Sequence, residues 1–514
     1  MAAAKDVRPC DPKTLKEALD TTDAVQWQAA VDSELSSLRD MEVYEVVEEK
    51  SLPRGTRVLS SKLILKTKYG ADGELLKHKA RLVVRGFEQR PGIDFVSKYS
   101  PVIGFGAARL IFSMACSLEW ELEAFDVVTA FLHGKLKETV YVRPPKGCEK
   151  PGNVWRLRRA LYGLVQAPQA FSETVVEVLT SVGLTRSKVD PNLFYRTDGN
   201  KVKCVIACYV DDGLMSYEPS YRSTVDSMMD AIRLMLKIKR LGAVESFLGW
   251  KVQRTKGTLR LSQRQAVLDL LSHHSVELGT LREFSTPAVP GTRLSPLSDG
   301  EQVVDIHTYR SVCGSLLYIA MCTRPDIATA VREVCKHVQA ASMKHWQAVR
   351  RICGYLKGTA DYGLTYNKGD PKLTAFCDAS YASADDQYKS VSGFVAVHGG
   401  AAISWFSRLQ RVTAQSTAEA EYIAMAEAAK ELLYLAQLSD ELGMDYRPIP
   451  LLSDCQSALF VALNAGVHRK VKHIGVRFHL IRESIASGDI QISYIPTGKQ
   501  TADILTKALP LLSF

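Results

Sequence analysis

The chain has 514 residues, too many for one hydrophobic core, so three or four domains are expected. Its 46% hydrophobic and 24% charged residues exclude a disordered or fibrous protein, and 65 Lys and Arg against 56 Asp and Glu leave a formal charge of +9 that favours a polyanionic partner. Eleven cysteines without a C-x-x-C pair argue against a zinc site or a disulfide framework, and no window approaches the roughly eighteen apolar residues of a membrane span. An intracellular, non-secreted protein is expected, in the cytoplasm or the nucleus, with no membrane partner.

In chain order, Leu15, Ala18, Val25, Ala29, Val31 and Leu35 recur at helical spacing and predict a helix from Lys13 to Leu38. Two β-rich runs follow, Val58 to Leu65 and Arg81 to Val84, on either side of the turn-prone stretch Tyr69-Gly70-Ala71-Asp72-Gly73. They form a basic hairpin that carries Lys62, Lys66, Lys68, Lys77, Lys79, Arg81 and Arg85. Between Leu122 and Phe131, the residues Leu122, Ala124, Asp126 and Val128 share one face of a strand. From Lys203 to Tyr217 a buried strand, an Asp-Gly pair and a second strand predict a hairpin with Asp211 and Asp212 near its tip. The stretch Ser285 to Gly300, broken by Pro287, Pro290, Gly291 and Pro296, reads as a linker. A second break at Tyr366 to Pro371 precedes three strands, a long helix, a strand and further helices, the order of a compact α/β domain.

Two adjacent carboxylates repel each other unless a cation intervenes, and a hard divalent ion such as Mg2+ is the natural one. A two-metal site for phosphoryl transfer needs a further ligand, and Asp126, among small and apolar neighbours, is the best candidate. Nearer the end, Asp378 and Asp454 each close a strand, Glu419 and Glu421 open the long helix, and Asp503 follows. Three aspartates and one glutamate from separate elements suit a two-magnesium nuclease. Helix geometry turns Glu419 and Glu421 about 200° apart, so one of them faces the metals. Ser416 and Glu419 have the spacing of a capping box, which leaves Glu421 as the expected ligand and Glu419 as the structural residue, with the choice still open.

Several blocks in one order carry a family likeness: Lys79-Ala80-Arg81-Leu82-Val83, Arg85-Gly86-Phe87 with Gln89, Tyr99-Ser100-Pro101-Val102, Asp126-Val127 with Ala130-Phe131-Leu132-His133-Gly134, Leu161-Tyr162-Gly163-Leu164 with Gln166-Ala167-Pro168, and Tyr209-Val210-Asp211-Asp212. Later blocks are Gly314-Ser315-Leu316-Leu317-Tyr318, Val391-Ser392-Gly393-Phe394, Ile403-Ser404-Trp405, Lys472-His473-Ile474 and Ala502-Asp503-Ile504-Leu505-Thr506-Lys507. In these the chain resembles the copia-like class of long-terminal-repeat retrotransposon polymerases, through the reverse transcriptase and ribonuclease H regions of their Pol polyprotein.

The resemblance implies a multidomain α/β and α+β protein: an N-terminal extension over residues 1–25, the fingers and palm of a right-hand polymerase over 26–245, thumb and connection over 246–368, and a ribonuclease H-like domain over 369–514. It implies DNA synthesis on an RNA template from a DNA primer, with deoxynucleoside triphosphates as substrates and cleavage of the RNA in RNA/DNA hybrids. Phe131 would be the bulky gate against a ribose 2′-hydroxyl, Lys79 and Arg81 would meet the triphosphate, and Gln166 would touch the sugar. The surroundings Val165, Gln169 and Phe171 depart from the family pattern around Gln166, as do Cys455 after Asp454 and Gly475 after the Lys-His-Ile run. The basic run His468 to His473 would hold hybrid phosphates. The absence of a D-[ST]-G protease motif and of an integrase zinc pattern leads one to expect the polymerase end of a longer polyprotein, in a virus-like particle, with its other parts as partners. The alternative is a catalytically inactive or domesticated relic that binds nucleic acid.

Overall fold

The computed structural model describes residues 11–69, 75–95, 101–147, 150–292, 294–369, 371–383, 388–464 and 475–514. The turn at 70–74, part of the Tyr99–Val102 block and the basic run at 468–473 lie outside them. The described chain packs as two compact units, each assembled from three stretches: residues 1–102, 126–185 and 227–239 form the first, and 103–125, 186–226 and 240–514 the second.

In the first unit, the helix expected from Lys13 to Leu38 is two helices, Leu15–Leu19 and Ala24–Asp40. Polar residues at the junction compete for the backbone: the Thr21 hydroxyl donates to the Ala18 carbonyl at 2.7 Å and closes the first helix. The second helix buries Trp27, Val31, Glu34 and Leu38. The run expected from Val58 to Leu65 also divides, because the backbone N–H and hydroxyl of Ser60 both donate to the Glu88 carboxylate, at 2.8 and 2.5 Å. Val58–Leu59 then closes a four-stranded sheet in the order Tyr44–Glu48, Asn153–Arg159, Lys135–Val142, Val58–Leu59. Ser61–Tyr69 pairs antiparallel with Leu75–Val84 as the basic hairpin, Lys66 opposite Lys79. Alternate residues Ala80, Leu82 and Val84 face the interior, as a half-buried ribbon requires.

Two further sheets lie in the second unit, as does most of a third. The largest has the strand order Ile238–Ala243, Glu121–Val127, Asp212–Tyr217, Lys201–Tyr209, Leu193–Asp198, Thr185–Arg186. Helix Phe105–Ser117 is apolar nearly all round and is buried from Ala107 to Cys116. Within it Arg109, 4% exposed, donates to the carbonyls of Ile403, Met321 and Cys322 at 2.7–2.9 Å and stacks 3.9 Å from the Trp405 ring, tying three elements together. A four-stranded antiparallel sheet from Ser246–Phe247 to Gly363–Asn367 is joined by the helices Arg264–His273, Ile306–Cys322, Ala328–Cys335 and Met343–Gly358. The described residues between Leu278 and Ile306, the stretch that contains the expected linker, form no helix or strand.

The last sheet runs Ala401–Leu409, Lys389–His398, Thr374–Ser383, Ile449–Ser453, Ile490–Tyr494. Its first three strands are antiparallel and its last two parallel to the centre. It contains one strand more than the sequence pattern suggests: Ile490–Tyr494, a five-residue run with only two fully buried positions, is too short to stand out by periodicity. Helix Thr417–Glu441 lies against this sheet through Ala420, Ile423, Ala424, Ala428 and Leu432, all fully buried.

Candidate functional site

Asp211 and Asp212 stand at the tip of the hairpin Lys201–Tyr209 and Asp212–Tyr217, with Tyr209 opposite Asp212. The turn is Val210-Asp211, two residues earlier in the chain than a turn on Asp212-Gly213 would be. Val210 accordingly takes φ of +55°, a left-handed conformation that is costly for a β-branched residue. The turn sends Asp211 out of the strand alternation while Asp212 opens the second strand.

Gly213 is left in extended backbone, and its role is room rather than turning. A Cβ there would lie 2.1 Å from the Phe125 ring. Phe125 belongs to the adjacent strand and is followed directly by Asp126, the penultimate residue of that strand, which falls in the first unit. Two positions before Phe125, buried Glu123 accepts from the Tyr217 hydroxyl at 2.6 Å and from Arg240 at 2.5 Å, with Arg222 at 3.3 Å. Burial pushes the Glu123 carboxyl up, but these donors outweigh it and hold it below its usual range. The strand is thereby bound to its two neighbours in the sheet.

In the first unit, Lys79 and Arg81 lie on the hairpin strand Leu75–Val84. Burial lowers the Lys79 ammonium below its ordinary range, with repulsion from Arg81, Lys77 and Lys68 acting the same way and Glu34 opposing. Glu34 accepts from the Leu82 N–H at 2.9 Å, and burial raises its carboxyl. Phe131 sits in the 3₁₀ turn Ala130–His133, edge-on to Tyr162 at 5.0 Å and to Phe171 at 6.2 Å. Gln166 is 4% exposed, and its amide accepts from Gln89 at 2.9 Å and donates to the Asp94 carbonyl at 3.3 Å. Glu34 carries no signal in the sequence that marks it, since its partner lies 48 residues away, and Gln89, marked only as part of a family block, meets Gln166 77 residues on.

The second carboxylate set gathers in the second unit. Asp378 lies on the central strand Thr374–Ser383, Glu421 in the second turn of the long helix, and Asp454 directly after Ile449–Ser453. One oxygen from each lies within 4.8 Å of the others, and no other His, Cys, Asp or Glu trio among the described residues does so. The Thr506 hydroxyl donates to Asp378 and the Thr497 hydroxyl to Asp454, the latter at 2.7 Å. Glu421 Oε2 is buried without a hydrogen-bond partner. Asp503, in the 3₁₀ turn Thr501–Leu505, lies outside the trio and pairs with Lys507 at 2.9 Å.

Glu419 serves the helix end: its N–H donates to the Ser416 hydroxyl at 3.2 Å and its carboxylate accepts from the Gln415 N–H at 2.9 Å. Burial first, then the charges of Asp378, Asp454 and Asp503, drives the Glu421 carboxyl up to about 9. Burial likewise raises Asp378 to about 6, with the Thr506 hydrogen bond opposing and Asp503 adding. An all-oxygen set with an unpartnered buried oxygen and mutually repelling charges fits a hard divalent cation.

A family model described as reverse transcriptase (RNA-dependent DNA polymerase) matches residues 41–289. The Pol polyprotein of transposon TNT 1-94 from Nicotiana tabacum is 36% identical over 98% of the chain, and that of transposon RE1 from Arabidopsis thaliana is 33% identical over 98%. The chain spans 38% and 34% of these two relatives. A transposon Ty5-1 protein of Saccharomyces cerevisiae, matched along its whole length, is 32% identical over 60% of the chain. Among solved structures, a foamy viral protease-reverse transcriptase in complex with RNA/DNA hybrid superposes with a TM-score of 0.51 at 14% identity, covering 94% of this chain and 55% of that one, and shares the fold. No described helix is long and apolar enough to cross a membrane. By its identity to these relatives, the chain belongs to the copia-like retrotransposon Pol polyprotein family and carries that family's reverse transcriptase region.

Proposed function

We propose that the protein is an RNA-directed DNA polymerase that extends a DNA primer on an RNA template and also cleaves the RNA strand of RNA/DNA hybrids. The observation that carries the polymerase reading is the hairpin presenting Asp211 and Asp212, in a chain of reverse transcriptase ancestry. Asp126, Asp211 and Asp212 are the residues to hold Mg2+, which when bound would lower the pKa of the primer 3′-hydroxyl and neutralise charge on the transferring phosphate. Arg81 offers the triphosphate a planar fork and Lys79 a point charge. Phe131 fills the space a ribose 2′-hydroxyl would need, and Gln166 lines the sugar side.

The ribonuclease reading rests on the trio Asp378, Glu421 and Asp454, with Asp503 beside Asp378. These carboxylates are the residues to hold Mg2+ for hydrolysis of the RNA backbone, and Thr506 and Thr497 orient Asp378 and Asp454. Primer extension on an RNA template with deoxynucleotides and Mg2+ tests the polymerase: the wild type extends and Asp211→Asn does not. Equal extension by both proteins removes the metal assignment, and nucleic-acid binding without extension by the wild type favours the inactive relic.

A further inference from the structure

We propose that Tyr162 is the positioning residue of the nucleotide gate, whose ring clamps Phe131 and Arg81 into one stack and so sets deoxyribose selectivity. The inference rests on the polymerase reading above and assigns it a residue that contributes without touching the metals.

All the groups concerned lie in the first unit. Arg81 projects its guanidinium over the Tyr162 ring, 4.9 Å from the centroid. Phe131 meets the same ring edge-on, with centroids 5.0 Å apart and planes at 71°. Behind it Phe171, buried on the helix that follows Gln166, supports Phe131 at 87° and 6.2 Å. The triphosphate-facing cation and the sugar-facing aromatic therefore share one supporting ring, and neither can change rotamer without losing a contact to it.

The support is itself immobilised through its backbone. The Tyr162 carbonyl accepts from the Val84 N–H at 2.8 Å, three residues along the strand from Arg81. Gly163 takes φ of +90°, and a Cβ there would stand 2.0 Å from the Val84 carbonyl oxygen. Only glycine lets the loop lie this close to the strand, so Tyr162 is held in register with Arg81. On the other side, Phe131 follows Thr129, which adopts φ of +54°, in a short 3₁₀ turn. That turn has few bonds of its own to fix a side chain, and the aromatic contacts take over that task.

The ring, rather than the hydroxyl, makes these contacts. The full chain carrying Tyr162→Phe keeps the ring and is therefore expected to keep the preference for deoxynucleotides, whereas Tyr162→Met, apolar but without a ring, loses the clamp. Steady-state extension on an RNA template, with each deoxynucleotide against its ribonucleotide, reads the effect. Tyr162→Met is expected to raise the deoxynucleotide KM about tenfold with little change in kcat, and to lower the preference for deoxynucleotides about tenfold, the factor that about 1.4 kcal/mol gives. Because Tyr162 acts through Phe131, adding Tyr162→Met to Phe131→Ala is expected to change selectivity no further.

A lower kcat with unchanged selectivity in Tyr162→Met, additive losses in the double variant, or a Tyr162→Phe protein as impaired as Tyr162→Met would each overturn the proposal while leaving the polymerase reading intact. Absence of extension by the wild type would remove both. Should Tyr162→Met not fold, as read by its melting curve, Tyr162→Leu and Tyr162→Trp make the same comparison: Trp, with a ring, keeps selectivity, and Leu loses it.

Discussion

Glu421 is a carboxyl held where its own charge is disfavoured, with its Oε2 buried and unpartnered and three aspartates nearby. Burial and those charges raise it from 4.5 to about 9, and burial raises Asp378 from 3.8 to about 6. An acid whose folded pKa lies above its unfolded one keeps a proton that the unfolded chain has released, so stability falls as pH rises. The contribution is complete below the unfolded values of 3.8 and 4.5 and is lost by about pH 9. In EDTA, the melting temperature is expected to drop between about pH 5 and pH 9, and Glu421→Gln to make that drop shallower. Added Mg2+ should raise the melting temperature more at about pH 8 than at about pH 6, because it replaces a proton that is already leaving. Calorimetric scans across that range check both statements, and a Glu421→Gln protein with the wild-type slope would contradict them.

Among the elements, the hairpin that carries Asp211 and Asp212 depends on a residue without a side chain. Gly213 needs no special φ, so an alanine there fails only by collision, with its Cβ 2.1 Å from the Phe125 ring. Overpacking of this kind costs about 1–3 kcal/mol, and here relief requires moving one of two adjacent strands, one bearing Asp212 and the other leading to Asp126. Gly213→Ala is therefore expected to lower the denaturation midpoint and to reduce primer extension beyond what its stability loss explains. Gly314→Ala is the control: nothing lies within 4 Å of its Cβ, and within helix Ile306–Cys322 it should stabilise by about 0.5–1 kcal/mol. Denaturant titrations with extension assays on both variants decide the matter, since equal behaviour would mean that Phe125 simply turns aside.

For the whole molecule, the two carboxylate sets belong to different sheets. Asp211 and Asp212 hang on the six-stranded sheet, and Asp378 and Asp454 on the five-stranded one. Each set draws its support from neighbours of its own, Glu123 and Phe125 near the first, Thr497 and Thr506 in the second. Independent support predicts separable activities. Asp378→Asn is expected to abolish cleavage of a preformed RNA/DNA hybrid and to keep primer extension, the mirror image of Asp211→Asn. Parallel gel assays on both variants measure this, and joint loss of the two activities in either one would show that the sets act as a unit.

The sequence by itself determined what depends on local chemistry. The β-rich run Arg81–Val84, which the structure extends back to Leu75, the hairpin around Asp211, the break before Ile306 and the Ser416–Glu419 helix start all follow from residues a few positions apart, where spacing is the geometry. It also carried the family likeness, through several short blocks in one order, and a Pol polyprotein relative is 36% identical over 98% of the chain. Tertiary structure alone decided matters between residues far apart in the chain. The turn falls on Val210-Asp211 because Gly213 is needed against Phe125, and the Lys13–Leu38 helix breaks because Thr21 caps the chain at Ala18. Asp378, Glu421 and Asp454 meet because the middle of strand Thr374–Ser383, the start of helix Thr417–Glu441 and the end of strand Ile449–Ser453 come together, so that Asp378 lies within its strand rather than closing it, while Asp503 turns to Lys507. Tyr162, which its segment marks only as part of a family block, meets Arg81 and Phe131 only when the loop closes on Val84. Periodicity reports which face of an element is buried, and only packing decides what that face meets.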